Sequence, residues 1–156
     1  MTTIVAKVSQ LIHCEAVDAF EAFADPDKIT RFWLRAASGP LSTGSKVEWS
    51  FMVPGVMDSV TVLTCTRPSS IELTWSDGSM TRFEFSAHAQ GKTKVSIEAE
   101  VTATTDFIEQ VVSTTEGFAI VLCDLKTYLE SGQSANLVRA KAELIGASMI
   151  DPKLGV

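Results

Sequence analysis

Between Lys46 and Val101 the apolar residues of this chain recur at every second position, and beyond Thr104 the period lengthens to that of a helix. Val47, Trp49 and Phe51 alternate with Lys46, Glu48 and Ser50, and Ile71, Leu73 and Trp75 with Glu72 and Thr74. Phe83 and Phe85 alternate with Arg82 and Glu84, and Thr93, Val95, Ile97, Ala99 and Val101 with Lys94, Ser96, Glu98 and Glu100. Pro54-Gly55, Pro68-Ser69-Ser70, Asp77-Gly78 and Gln90-Gly91-Lys92 punctuate these runs as turns. Val56 to Thr66 alternates less cleanly, as a strand carrying a bulge would. The pattern predicts an antiparallel meander with one apolar and one wet face.

The helical segment carries the matching surface. Phe107, Val111, Phe118, Leu122, Leu125 and Leu129 form a stripe. Thr104 or Thr105 is the expected cap, Asp106 and Glu109 suit the positive end of the dipole, and Ser131-Gly132 ends the helix. Its span is roughly 26 residues, or about 39 Å, enough to cross a sheet. Ahead of the meander, Ile4 to His13 reads as a strand. Glu15 to Ala24 reads as a helix with Val17, Phe20 and Phe23 on one face. A second short helix starts at Asp25-Pro26-Asp27 and carries Ile29, Phe32 and Trp33. Ala36 to Ser45 reads as a loop. The class is α+β: a curved sheet whose apolar face is covered by one long helix. Strand twist prevents flush packing along the helix and leaves room for a hollow.

Composition excludes more than it selects. With 156 residues, 46% hydrophobic and 21% charged, the chain is expected to form one globular domain without a disulfide or metal staple. Thirteen Lys and Arg against nineteen Asp and Glu give a net charge of −6, and the basic residues are scattered. Nucleic acid and an acidic membrane surface are therefore poor partners. Cys14, Cys65 and Cys123 stand far apart, which argues against a disulfide framework or a Cys-based zinc site and for structural, buried thiols. No apolar stretch approaches the roughly 18 residues of a membrane span, and the expected location is the cytoplasm.

Several ordered motifs carry a resemblance. Ile12, Phe20, Phe23, Asp25-Pro26 and Phe32-Trp33 follow one another near the start. Arg67-Pro68, Leu73-Thr74-Trp75 and Gly91-x-Thr93-x-Val95 come midway, and Glu116-Gly117-Phe118, Leu122, Leu125 and Tyr128-Leu129-Glu130 near the end. The set resembles the helix-grip fold of the START-like superfamily, also called SRPBCC. More narrowly it resembles the branch homologous to the C-terminal domain of the heat-shock-protein-90 ATPase activator. Cys14-Glu15 replaces that branch's Ala-Pro, and Phe118 stands where Trp is usual. The resemblance covers about residues 4–132, so the expected division is a helix-grip domain over 1–132 and an extension over 133–156. The extension has a second amphipathic segment, with Leu137, Val138, Leu144 and Ile145 on one face and Asn136 as cap. It packs on a neighbouring subunit in a homodimer, covers the mouth of a cavity, or frays.

The resemblance implies a cavity between sheet and helix. Its candidate wall is Trp33, Trp49, Phe51, Trp75, Phe83, Phe85, Phe107, Val111, Phe118 and Leu122, residue types that also suit a filled core. The expected inward rows hold no His, Asp, Glu, Lys or Arg, and Thr114 and Thr115 are the nearest polar groups on the helix. General acid–base catalysis needs a titratable group beside the substrate, so the expectation is binding of a small hydrophobic ligand without turnover and without a cofactor. Asp58 is read as pointing outward, His13 and His88 as exposed strand ends rather than metal ligands, and Gly117 as a site of close packing. A cyclase- or aromatase-type enzyme using the same cavity is the first alternative. A chaperone-associated adaptor is the second.

Overall fold

The computed structural model describes residues 3–150. In chain order the elements are β1 (Thr3–Ile12), α1 (Ala16–Ala24), α2 (Pro26–Phe32), β2 (Leu34–Ala37), β3 (Lys46–Phe51), β4 (Met57–Thr66), β5 (Ser70–Thr74), β6 (Met80–Ala89), β7 (Lys92–Thr102), α3 (Phe107–Ser131) and α4 (Leu137–Ile150). All strand pairs are antiparallel, in the order β1-β7-β6-β5-β4-β3-β2. The two short helices carry the chain from β1, at one edge, to β2 at the other. This is the expected α+β helix-grip architecture, with the sheet curved around α3.

The period-two rows become the core. Val47, Trp49, Val60, Val62, Ile71, Leu73, Phe83, Phe85, Val95, Ile97, Ala99 and Val101 are all buried on one face. Ala19, Phe20, Ala22 and Phe23 of α1 close one part of it, and Phe23 packs edge-on against Phe32 and Trp33. Register pairs Val62 with Leu73 and Thr64 with Glu72, so Leu63 is the extra residue of a bulge that explains the blurred alternation of β4. At the β5–β6 turn, the Gly78 amide donates to the Trp75 carbonyl at 2.9 Å. Its φ of +86° is one that glycine adopts without a Cβ penalty.

Several local expectations change. The stretch read as a loop begins with a strand: Ala36 and Ala37 pair with Ser50 and Trp49. Four residues are too few to show a period, which is why β2 is silent in the sequence. Val17 is 42% exposed, because Ala19 and Ala22 complete the buried face beside the two phenylalanines. The residue preceding α3 is Asp106, whose side chain makes no capping hydrogen bond, rather than Thr104 or Thr105. Asp58 pairs directly with Trp49 and so shares its inward face, as does Val60 two positions further along the strand. It is half-buried, and its carboxylate accepts the Ser59 amide at 2.8 Å. Cys123 is exposed rather than buried.

Candidate functional site

The stripe of α3 is buried only in part. Its buried residues are Val121, Leu122, Asp124 and Leu125, all in the second half, while Phe107, Val111 and Phe118 are half-buried. The second half is fastened to β1. Lys126 Nζ donates to the Leu11 carbonyl at 2.8 Å and to Glu130 Oε2 at 2.6 Å, and the His13 amide donates to that same Glu130 oxygen at 2.8 Å. Tyr128 stacks on Phe32 with ring centres 5.9 Å apart. A helix tied at one end to a twisted sheet separates from it toward the other end. The separation opens around Phe118.

A hollow of about 270 Å³ lies there. Trp33, Phe51 and Trp75 form its floor, with Phe51 6.3 Å from Trp33 and 6.1 Å from Trp75 between ring centres. Trp75 Nε1 donates to Thr81 Oγ1 at 2.8 Å, which fixes the indole while leaving its face to the hollow. Phe118, edge-on to Trp33 at 5.9 Å, Gly117 and Val121 line it from α3. The remaining side is supplied by α4, through Val138, Lys141, Ala142 and Ile145. The extension thus contributes one side of the hollow. The face it turns inward is centred on Ala142, with Leu144 and Ile145 both 42% exposed.

The cavity's polar lining is sparse: Thr114 from α3 and Lys141, whose ammonium lies 3.2 Å from Glu116 Oε1. A wider cleft of about 680 Å³ adjoins it, sharing Trp75, Thr114 and Phe118, and is edged by Asp77, Glu100, Asp106 and Glu109. The hydroxyl and amide of Ser79 donate to Asp77 and hold its carboxyl below the ordinary value. Burial pushes the Cys14 thiol up to about 11 and raises that of Cys65, so neither is poised as a nucleophile. His13 and His88 are both exposed.

Of the ten wall residues expected from sequence, the structure brings Trp33, Phe51, Trp75 and Phe118 to the hollow. Trp49, Phe83, Phe85 and Leu122 lie beneath, in the close-packed core. Phe107 and Val111 stand on the first turns of α3, beyond the hollow's lining. The expected wall leaves out Gly117, read as a site of close packing, and the α4 residues, of which Val138 and Ile145 are placed on the extension's apolar face and Lys141 and Ala142 are not singled out. For Gly117 the reason is physical: no atom lies within 4 Å of where a Cβ would sit, so the glycine opens space rather than allowing close packing. Lys141 carried no signal, since it belongs to a segment whose placement the domain pattern does not specify.

A curved antiparallel sheet gripping a long helix, with a hollow between them, defines a START-like domain. The chain belongs to the family described as Activator of Hsp90 ATPase homolog 1-like protein, whose model matches residues 13–130. Protein SSP2350 from Staphylococcus saprophyticus is similar in structure at 24% identity, over 84% of this chain and 95% of that one, with a TM-score of 0.76. The Aha1 dimer from Colwellia psychrerythraea is similar at 20% identity, over 86% and 100%, with a TM-score of 0.71. Protein EF2215 from Enterococcus faecalis, of unknown function, is similar at 18% identity over 99% and 88%, with a TM-score of 0.67. At these identities the likeness is one of fold. No curated protein matches the chain. Among the described residues no helix is long and apolar enough to cross a membrane.

Proposed function

We propose that this protein binds a small, largely hydrophobic molecule in the hollow between the sheet, α3 and α4, and holds it without chemical turnover. The observation that carries the reading is the lining: three aromatic floor residues, Phe118 and aliphatic side chains, around about 270 Å³. That is slightly below the roughly 300–1,000 Å³ of typical small-molecule sites, so the ligand is compact. Apolar wall with one or two polar groups is the usual composition of such sites. A panel of compact lipophiles is expected to raise the melting temperature, and native mass spectrometry to detect one bound molecule per chain with unchanged mass. A panel without any shift sinks the reading.

A cyclase-type enzyme is the second reading, and one observation favours it: Lys141 brings a titratable group to the wall. A bound ligand that leaves with altered mass decides for the enzyme. An adaptor role toward an Hsp90-class chaperone draws support from family membership alone. Co-purification with the chaperone that survives blocking of the hollow would decide for that role.

A further inference from the structure

We infer that the hollow selects a short anionic amphiphile, whose carboxylate takes the place of Glu116 beside Lys141. This rests on the binding reading above and adds the ligand's charge and its direction in the site.

Among the described residues, Lys141 is the only charged side chain lining the apolar hollow. Its side chain is 24% exposed, whereas that of its partner Glu116 is 54% exposed. The lysine thus lays its stem along the wall and keeps its ammonium at the margin, where one loosely held carboxylate meets it. An ion pair with so exposed a partner contributes little and exchanges readily. A carboxylate brought by a ligand from the apolar side meets the same ammonium where water is scarcer and the attraction stronger.

The two ends set the direction. Past the shared Trp75, Thr114 and Phe118 lies the cleft edged by Asp77, Glu100, Asp106 and Glu109, with no Lys, Arg or His among the described residues that line it. Lys141 draws the head of an anion under α4, with its tail over Trp33, Phe51 and Trp75, and the cleft carboxylates add a weak, screened repulsion against the reverse orientation. A cationic amphiphile would lie the other way round. Asp77, Asp106 and Glu109 are exposed, however, so water and salt screen what they offer it. At about 30 Å³ per water-sized atom the volume admits roughly nine heavy atoms, the scale of an eight-carbon chain.

The test measures octanoate, octanol and octylammonium binding by calorimetry at low salt, on the wild-type protein and on the Lys141→Gln, Lys141→Arg and Glu116→Gln variants. Octanoate is expected to bind about tenfold more tightly than octanol, and Lys141→Gln to erase that margin by weakening octanoate far more than octanol. Lys141→Arg should keep the margin, and Glu116→Gln, which removes the competitor, should widen it. Unliganded melting temperatures of the variants confirm that each is folded. Octylammonium binding as tightly as octanoate overturns the inference, as does octanol matching octanoate. If none of the three binds while other lipophiles do, the inference fails and the cavity reading stands. If no lipophile binds at all, it is the cavity reading that fails.

Discussion

The hydroxyl of Ser134 donates to the carboxylate of Asp124, 2.8 and 2.9 Å from its two oxygens, and the Ala135 amide donates to the same group at 3.0 Å. Asp124 is only 1% exposed. A carboxylate so buried needs donors in place of water, and here the connection between α3 and α4 supplies them. The consequence is positional. After Gly132 ends α3 in the left-handed conformation, with φ +83°, these bonds pin the chain against the helix it has just left. The Asn136 backbone, φ +59°, then starts α4 on the course that roofs the hollow. A residue that the sequence marks only as a polar neighbour of Cys123 thus governs whether the cavity has a cover.

Asp124→Ala is therefore expected to destabilise the protein by about 1.5–3 kcal/mol, the range for hydrogen bonds to a charged group. Ser134→Ala, which leaves the Ala135 amide in place, is expected to cost about 1 kcal/mol. Urea denaturation measures both. Hydrogen exchange separates the tether from a general core defect: amides of α4 should lose protection while those of β6 and β7 keep theirs. Uniform loss across the sheet would refute the tether.

Gly117→Ala is expected to do two opposite things. Glycine inside a helix costs about 1 kcal/mol relative to alanine. With nothing within 4 Å of the added methyl, the unliganded protein should become more stable by roughly that amount. Because the methyl is added at the cavity lining, ligand binding should weaken at the same time, and Gly117→Leu should nearly abolish it. Higher melting temperature with a smaller ligand-induced shift is the expected pair of results.

What could be read in the sequence follows from what periodicity encodes. Rows such as Val95, Ile97, Ala99 and Val101 repeat often enough to specify a face, and the sheet follows them. The aromatic floor was readable for the same reason: Trp33, Phe51 and Trp75 sit at ends of patterned elements. Pattern cannot say which aromatics face a void, since Trp49 and Phe83 share those rows and are fully buried. That distinction depends on where α3 leaves the sheet, a matter of twist and of long-range fastenings such as Lys126 to Leu11. Lys141 and Gly117 lie still further from view: one reaches the hollow by the reversal that Asp124 pins, the other by lacking an atom.

Thiol labelling should follow exposure and burial. Cys123 is exposed, whereas Cys65 and Cys14 are half-buried, and burial raises both of their pKa values, that of Cys14 to about 11. The thiolate is the reacting species. At mildly alkaline pH one equivalent of a thiol reagent should react quickly, at Cys123, and Cys14 should be the slowest of the three. Peptide mapping of partly labelled protein checks the order. A Cys14 that reacts first would mean that the β1–α1 junction opens far more readily than its hydrogen bonds indicate.

The acid limb of stability should report the fastening between α3 and β1. The His13 amide and the Lys126 ammonium hold the Glu130 carboxyl below its ordinary 4.5, and Ser79 holds Asp77 below 3.8. A carboxyl lowered in the fold takes up its proton later than the same group in the unfolded chain. As pH falls, the unfolded state binds protons first and gains on the native one. The stabilisation is therefore complete above the ordinary carboxylate values and drains away as pH drops through 4.5 toward the lowered ones. Glu130 lies at the protein surface, where solvent screens it, so its share is modest. Urea midpoints should be level from neutral pH down to that range and then fall. Glu130→Gln should start lower and fall less steeply, because its slope no longer includes this proton. An acid limb as steep in Glu130→Gln as in the wild type would show that the bond network around His13 and Lys126 does not couple to folding.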